Sequence, residues 1–581
     1  MSSHLSSLVF CCTLFIAGCS LDSQAIREDR EPEAATGLNQ QQLQQGNRYM
    51  VAAANPYASQ AGYNVLAKGG SAVDAAIAVQ LVLTLVEPQS SGIGGGAFLL
   101  HYNKQNNNII AFDGRETAPA KASQEMFLNA DGTPVRWIDA VVGGRSVGVP
   151  GVLKALEDAH QKFGKLAWSE LFDDAIALAE NGFIVSPRLA MLVAKDFNPG
   201  VKALDNSRAY FFPNGQPLQQ GTLLKNPKLA RVYRDIAKHG SEVFYKGWIA
   251  ERMVDAVNNS SIAPGHLSMG DLTAYQAKQT AAVCASYKVY ELCGMPAPSS
   301  GGIAVIQILK QLEQHNLDQL PVMSEQAVHL FTQSSRLAFA DRNHYIADPD
   351  FVSVPTEQML DNRYLTERGK LIKDVDMGFA GPGTFTLLAR GADNAIEMPS
   401  TSHIAIVDAQ GNAVSMTTSI EMAFGSAVMV EGFLLNNQLT DFSLAPMRDG
   451  KPVANRLQPL KRPRSSMAPM MVLNEDDSLR LVVGSPGGSR IINYVAQTLI
   501  GVLDWQLDIQ AAIDLPKVTN RNDVTTLERG TSVEALRSAL EQRGHKVAIR
   551  DLNSGIHGIE VFPEVLRGGA DPRREGKVLS N

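Results

Sequence analysis

The chain has 581 residues, of which 45% are hydrophobic and 19% charged, an ordinary balance for a protein with a large buried core. A formal net charge of -7 and a pI near 5.9 argue against a nucleic-acid partner, which usually meets a basic domain. Aromatic residues make up only 7%, too few for a base-stacking surface.

Leu5 to Gly18 is apolar but too short to span a bilayer comfortably, and reads as the core of a secretory signal. Only His4 stands where Lys or Arg is expected. The segment ends in Ile16-Ala17-Gly18-Cys19, which resembles a bacterial lipobox. That resemblance implies lipidation of Cys19 and loss of residues 1–18; the alternative is a plain cleaved signal. Ser20 after Cys19 favours the outer membrane of a Gram-negative cell over the inner one, with any membrane contact made only through the lipid. Residues 19–47 are charged and Gln-rich and read as a flexible tether. Cys11 and Cys12 leave with the signal. Cys284 and Cys293 remain, either bridged or as two buried thiols, on either side of a strand-like Tyr287-Lys288-Val289-Tyr290. No C-x-x-C pair or His/Cys cluster suggests a metal, and no cofactor is expected.

The fold is expected to begin near Met50. Ala58–Lys68 and Ser71–Leu85 read as helices, the second apolar nearly all round and so buried. The glycines of Pro88 to Gly96 follow a helix and precede a strand, Ala97–Tyr102. That is the reverse of a dinucleotide fingerprint, and they read as close backbone packing. A strand at Asn108–Asp113 leads to Gly114-Arg115-Glu116. Helices follow at 151–163, 168–181, 303–314 and 324–342. Asp374–Pro399 reads as an exposed loop that would tolerate a chain break. Next, Ile404–Val407, a polar turn at 408–412 and Ala413–Ile420 form a β-hairpin signature, with Ser400, Thr401 and Ser402 at its open end. A strand at 479–483, helices at 491–503 and 532–543 and a strand at 546–549 complete the chain. Hairpins and long helices without strict βαβ alternation predict a layered α/β sandwich.

The hydroxyls at the hairpin's open end suggest chemistry. A Thr nucleophile needs a base, and an N-terminal Thr supplies its own α-amine, with a pKa of about 8. Thr401 is internal, so a cut at Ser400-Thr401 is required. The same hydroxyl can make it, by attacking the Ser400 carbonyl to give an ester that water opens. Gly484-Ser485-Pro486-Gly487-Gly488-Ser489-Arg490, between a strand and a helix, can aim amides at an oxyanion. Arg462 to Ser466 places hydroxyls beside cations, and Asn436 to Asp441 offers amides and a carboxylate. Each of these motifs alone reads more simply as a turn or loop.

Together they carry a resemblance. Gly69–Val79 (G-G-S-A-V-D-A-A-I-A-V), Gly92–Phe98 (G-I-G-G-G-A-F), Asp113–Ala120 (D-G-R-E-T-A-P-A), Pro296–Ile303 (P-A-P-S-S-G-G-I), Thr401–Asp408 (T-S-H-I-A-I-V-D), Leu434–Ser443 (L-L-N-N-Q-L-T-D-F-S), Ser465–Pro469 (S-S-M-A-P) and Gly484–Arg490 resemble the γ-glutamyltranspeptidases, or glutathione hydrolases. These are N-terminal-nucleophile hydrolases, and the likeness runs from about Met50 to Gly576. It implies a four-layer αββα sandwich cut autocatalytically into a large subunit, 48–400, and a small one, 401–581, that stay intertwined. Thr401 would take the glutamyl group from γ-glutamyl donors such as glutathione as an ester. Water or an amino acid or dipeptide acceptor would then receive it.

The resemblance assigns Ser419 to the nucleophile's hydrogen bond and Gly487 and Gly488 to the oxyanion hole. It assigns Arg115, Ser465 and Ser466 to the donor's α-carboxylate, and Gln438 and Asp441 to its α-ammonium. Three departures stand out. Glu421 replaces an Asn near the α-amino group, Ser419 replaces a Thr, and Ser443–Leu460 lacks the aromatic residue of a longer lid. The alternatives are a cephalosporin (glutaryl) acylase of the same fold and an inactive surface lipoprotein. The paired acids favour a donor bearing an ammonium, because a glutaryl donor would leave them without a partner.

Overall fold

The computed structural model describes residues 40–386 and 390–581. The signal segment, Cys19 and most of the tether lie outside the described residues. Two seven-stranded sheets face one another. The first runs in the order Lys577–Ser580, Met50–Ala53, Ser402–Val407, Ala413–Ser419, Gly96–Asn103, Asn108–Gly114, Lys278–Ala281. The second runs Gln44–Gly46, Leu566–Ala570, His557–Val561, Leu479–Gly484, Met470–Leu473, Tyr290–Gly294, Val283–Tyr287. Helices Pro56–Ala67 and Ala72–Val86 cover the outer face of the first sheet, and Gly301–Leu312 and Ile491–Leu503 that of the second. This is the αββα sandwich.

Burial on both faces explains the sequence of the central hairpin. Successive side chains on a strand point to opposite faces. Ile404, Ile406, Val414 and Met416 enter the core under the helices, whereas Ala405, Val407 and Ala413 enter the core between the sheets. Ser402 pairs with Thr418, and the register continues to Val407 opposite Ala413. The turn is tied down at its far end. The Asp408 carboxylate accepts from the Gln410 and Asn412 amides at 2.9 Å each and from the Ala72 amide at 3.1 Å. That last bond sets a negative charge at the N-terminus of helix Ala72–Val86, where the helix dipole favours it. Ser71 and Asp74 close the same end as a capping box, and every residue of the helix is buried.

The glycine run before Ala97 is a packing device, as its position implied. A Cβ on Gly95 would lie 2.1 Å from the Ser419 carbonyl oxygen, and one on Gly94 would lie 2.1 Å from that of Leu434. Only backbone without side chains can pass between the strand ending at Ser419 and the segment carrying Leu434.

Several expectations are corrected. Tyr287 to Tyr290 is not a strand but straddles a hairpin turn, with Lys288 at φ +52°. The two tyrosines pair across it, and Lys-Val carries none of the usual turn residues that would have marked it. This hairpin places Cys284 opposite Cys293, and the two sulfurs are bonded. Gln44–Gly46 pair with Leu566–Gly568, so ordered structure starts inside the span read as tether. The segments 168–181 and 532–543 each open with a 3-10 turn before becoming α-helical. Asp374–Pro399 has no helix or strand among its described residues, but it is not exposed throughout. Glu397 to Ser400 are buried.

Gly95→Ala is expected to lower stability by about 1–3 kcal/mol through overpacking. Gly381→Ala, whose new Cβ would meet no atom within 4 Å, is expected to change little. Urea midpoints of the two variants check this.

Candidate active site

The register that pairs Ser402 with Thr418 brings Thr401 to Ser419 at the hairpin's open end. The Thr401 hydroxyl donates to Ser419 Oγ at 3.2 Å, and Ser419 Oγ accepts from the Glu421 amide at 2.8 Å. Thr401 is buried and sits at φ +105°, outside the regions a β-branched residue prefers. The bond before it is held from both sides. The Gly487 amide donates to the Ser400 carbonyl at 3.3 Å, and Arg574 Nη1 donates to the Thr401 carbonyl at 3.2 Å. The Ser400 hydroxyl donates to the Gln89 carbonyl at 3.1 Å. Gly487 and Gly488 lie at φ +133° and +57°, and a Cβ on Gly488 would come within 2.6 Å of the Met398 carbonyl oxygen. A hydroxyl, a strained backbone torsion at Thr401 and an amide on the carbonyl that the hydroxyl would attack are therefore assembled in the uncut chain.

His403, two residues on, offers no base. Its buried ring bonds Thr417 Oγ1 at 2.9 Å, and burial, helped by His557, pushes its pKa well below the ordinary histidine value.

Acidic and basic groups line the rest of the cavity. All the residues singled out for catalysis or substrate binding border it except Gly487, which lies behind the Ser400 carbonyl. Arg115, carried at the end of strand Asn108–Gly114, is buried. Its Nη2 bonds Asp441 Oδ2 at 2.5 Å and the Arg464 carbonyl at 2.8 Å, and its Nε bonds the Pro463 carbonyl at 3.1 Å. Gln438 Nε2 donates to Asp441 Oδ2 at 2.9 Å, and Asn437 Nδ2 to Glu421 Oε2 at 2.7 Å. Burial, and then the neighbouring Asp441, lift the Glu421 carboxyl well above its usual range. Burial raises Asp441 too, against the pull of Arg115. An acid pair of this kind holds a proton that an incoming ammonium can displace.

On the opposite wall, Ser466 Oγ contacts the Glu397 carboxylate and receives Arg342 Nη2 at 2.5 Å. Arg342 Nη2 also pairs with Glu397, and Arg464 bridges Asp393 at 2.8 Å and Glu397 at 3.5 Å. Ser465 turns its hydroxyl to the Met467 amide at 3.1 Å. Sequence reading missed Arg342, Asp393 and Glu397. Their one signal is a carboxylate four residues before the expected cut.

Among the described residues, Cys284, Glu291 and Cys293 lie close enough together to hold a metal, but the two sulfurs are bonded to each other.

A model of the family described as gamma-glutamyltranspeptidase matches residues 58–580. The chain belongs to this family. It is 37% identical over 554 residues to the glutathione hydrolase proenzyme of Bacillus subtilis (strain 168), covering 93% of this chain and 92% of that protein. It is 34% identical over 545 residues to the acylase ACY 1 proenzyme of Pseudomonas sp. (strain SE83), covering 92% and 94%. A cephalosporin acylase from Bacillus halodurans superposes on it with a TM-score of 0.82 at 28% identity, over 94% of this chain and 97% of that one. The chain is thus similar both to glutathione hydrolases and to acylases, and the side chains around the cavity must decide between the two.

Glu116, next to Arg115, yields a pH prediction. Burial raises its carboxyl from 4.5 to about 8, although the Arg115 guanidinium opposes the shift. Between those values the folded chain holds a proton that the unfolded chain has lost, so its contribution to stability falls as pH rises. Wild type is expected to lose more stability than Glu116→Gln between near pH 4.5 and near pH 8, as read from urea midpoints.

Proposed function

We propose that this enzyme is a γ-glutamyltransferase and glutathione hydrolase that activates itself by one cut. Thr401 Oγ attacks the Ser400 carbonyl carbon, and the developing oxyanion faces the Gly487 amide. The C–N bond breaks, the hydroxyl's proton passes to the departing Thr401 nitrogen, and Ser400 is left as an ester on Thr401. Water opens that ester, giving a Ser400 carboxylate and a free Thr401 amine. In turnover the amine takes the Oγ proton as Oγ attacks the donor's γ-carbonyl, then gives it to the leaving amine. Water or an acceptor amine resolves the glutamyl ester.

The observation that carries this reading is the buried pair Glu421 and Asp441 beside Thr401 in one cavity. A donor with an α-ammonium satisfies both acids; a glutaryl donor leaves them unmatched. The glutaryl acylase reading is favoured only by the likeness to acylases. Comparing 4-nitroaniline release from γ-glutamyl and glutaryl anilides separates the two. The γ-glutamyl compound is expected to be preferred, and Asp441→Asn should cost it roughly 100-fold in kcat/KM while changing the glutaryl rate far less. Preference for the glutaryl compound would sink the reading.

The burial of Ser400 supports self-cleavage over cutting by a second protease, which needs an exposed bond. We place the enzyme outside the cytoplasm, anchored to the outer membrane through a lipid on Cys19. No described helix is long and apolar enough to cross a membrane. Intact-mass analysis of purified protein reads both points. A fragment from Thr401 to Asn581 and a lipid-modified fragment beginning at Cys19 are expected, with Thr401→Ala remaining one chain.

A further inference from the structure

In a chain of net charge -7, one stretch of surface gathers cations and exposed apolar side chains. It is the outer side of residues 443–461. The inner side packs inward: Val453, Ala454, Asn455 and Leu457 are buried, and Asn455 Nδ2 donates to the Asp441 carbonyl at 2.8 Å. Met447–Arg448 and Lys451–Pro452 form a small hairpin with both strands exposed. The Val453 amide donates to the Pro446 carbonyl at 3.0 Å, and the Gly391 amide donates to the Pro452 carbonyl at 3.1 Å, which sets Arg390 beside the hairpin. Arg390 Nη2 donates to the Ser353 carbonyl at 2.9 Å, and Lys461 Nζ lies 5.8 Å from the centre of the Phe351 ring. These contacts join Arg390, Arg448, Lys451 and Arg456 into one surface with Phe351, Met447 and Leu460.

The fold itself makes little use of these side chains. Among the described residues, none of the four cations makes an ion pair, and Arg390 Nη1 has no hydrogen-bond partner. Burial, and then the like charge of Arg456, lower the pKa of Arg390. Asp449, in the hairpin turn, is the one acid within residues 443–461. Met447 and Leu460 are 51% and 55% exposed, and Phe351 37%. Leu460 is also held at φ +65°, a conformation that leucine rarely adopts. Crowded cations call for anions, and exposed apolar side chains call for cover.

We propose that this surface docks on a bilayer bearing anionic phospholipid headgroups. The cations meet the phosphates while Met447, Leu460 and Phe351 enter the layer beneath them. A soluble acidic polymer would satisfy the cations and leave the apolar side chains in water. Met447, Arg448, Lys451, Arg456 and Leu460 all follow Thr401, so cleavage leaves them on one subunit. Docking here fixes which face an enzyme anchored at Cys19 turns to its membrane. It does not depend on which donor the active site takes.

The test is co-sedimentation of the chain from Ser20 to Asn581 with lipid vesicles. This chain retains every described element and lacks both the signal and the cysteine that a lipid would use. Vesicles of phosphatidylcholine alone are compared with vesicles of equal parts phosphatidylcholine and phosphatidylglycerol. The chain is expected to bind the anionic vesicles roughly 100-fold more tightly, and to release them as salt is raised. Arg448→Gln with Lys451→Gln should weaken that binding roughly 20-fold, at about fivefold for each cation. Met447→Ser leaves the charge unchanged and should weaken it about fivefold. Removing two cations elsewhere, by Lys225→Gln with Lys228→Gln at the start of helix Pro227–His239, should cost less than about twofold. All the substituted side chains are exposed, so each variant is expected to fold and cut itself as the parent chain does. Equal binding to both kinds of vesicle, equal losses from the two double variants, or no loss from Met447→Ser would overturn the proposal. So would binding to soluble polyglutamate as tight as binding to the anionic vesicles, which would mark an acidic polymer as the partner.

Discussion

The pairing of Ser402 with Thr418 is the constraint on which the site depends. A strand's side chains alternate, so a slip of one residue would turn Ile404 and Ile406 away from the helices and into the narrow gap between the sheets. It would also part Thr401 from Ser419. The register is pinned at both ends. Asp408 ties the turn to the N-terminus of helix Ala72–Val86, and Gly95 lets the neighbouring backbone close against Ser419. Within that frame Thr401 has little freedom to relax its positive φ, because Gly487 holds the carbonyl before it and Arg574 its own. The strain is thus supported by contacts that are themselves deep in the sandwich.

Charge balance is the second constraint. Buried ions survive only in company, and removing one partner of such a pair costs about 3–5 kcal/mol. Around the cavity Arg115 pairs with Asp441, Arg342 with Glu397 and Arg464 with Asp393. Two of these acids, Asp393 and Glu397, belong to the loop that leads to Thr401. Glu421 and Asp441 on the far wall crowd two carboxyl groups into a small volume, which suits a cation that arrives with the substrate.

Legibility in the sequence follows the range of the interactions. The central hairpin was readable because its alternation and its Asp408-Ala409-Gln410-Gly411-Asn412 turn are local signals. The all-apolar face of Ser71–Leu85 announced a buried helix for the same reason. The hairpin at Lys288-Val289 was not readable, because tertiary pairing of flanking strands, not turn chemistry, creates it. Thr401 looked like an ordinary strand-edge hydroxyl until resemblance set it beside distant motifs. The Arg342 clamp escaped notice because its contacts reach Glu397 and Ser466, 55 and 124 residues away, without any periodicity to flag them. Burial of the end of the 374–399 loop was missed because its composition is loop-like while its surroundings are core.

The central claim is that one residue, Thr401, both cuts the chain and carries the glutamyl group. Peptide mapping of enzyme quenched in acid during turnover of a γ-glutamyl donor tests this most directly. The account predicts a glutamyl adduct on a peptide whose first residue is Thr401. An adduct on any other residue, or a Thr401 peptide still joined to Ser400 in active enzyme, would contradict it.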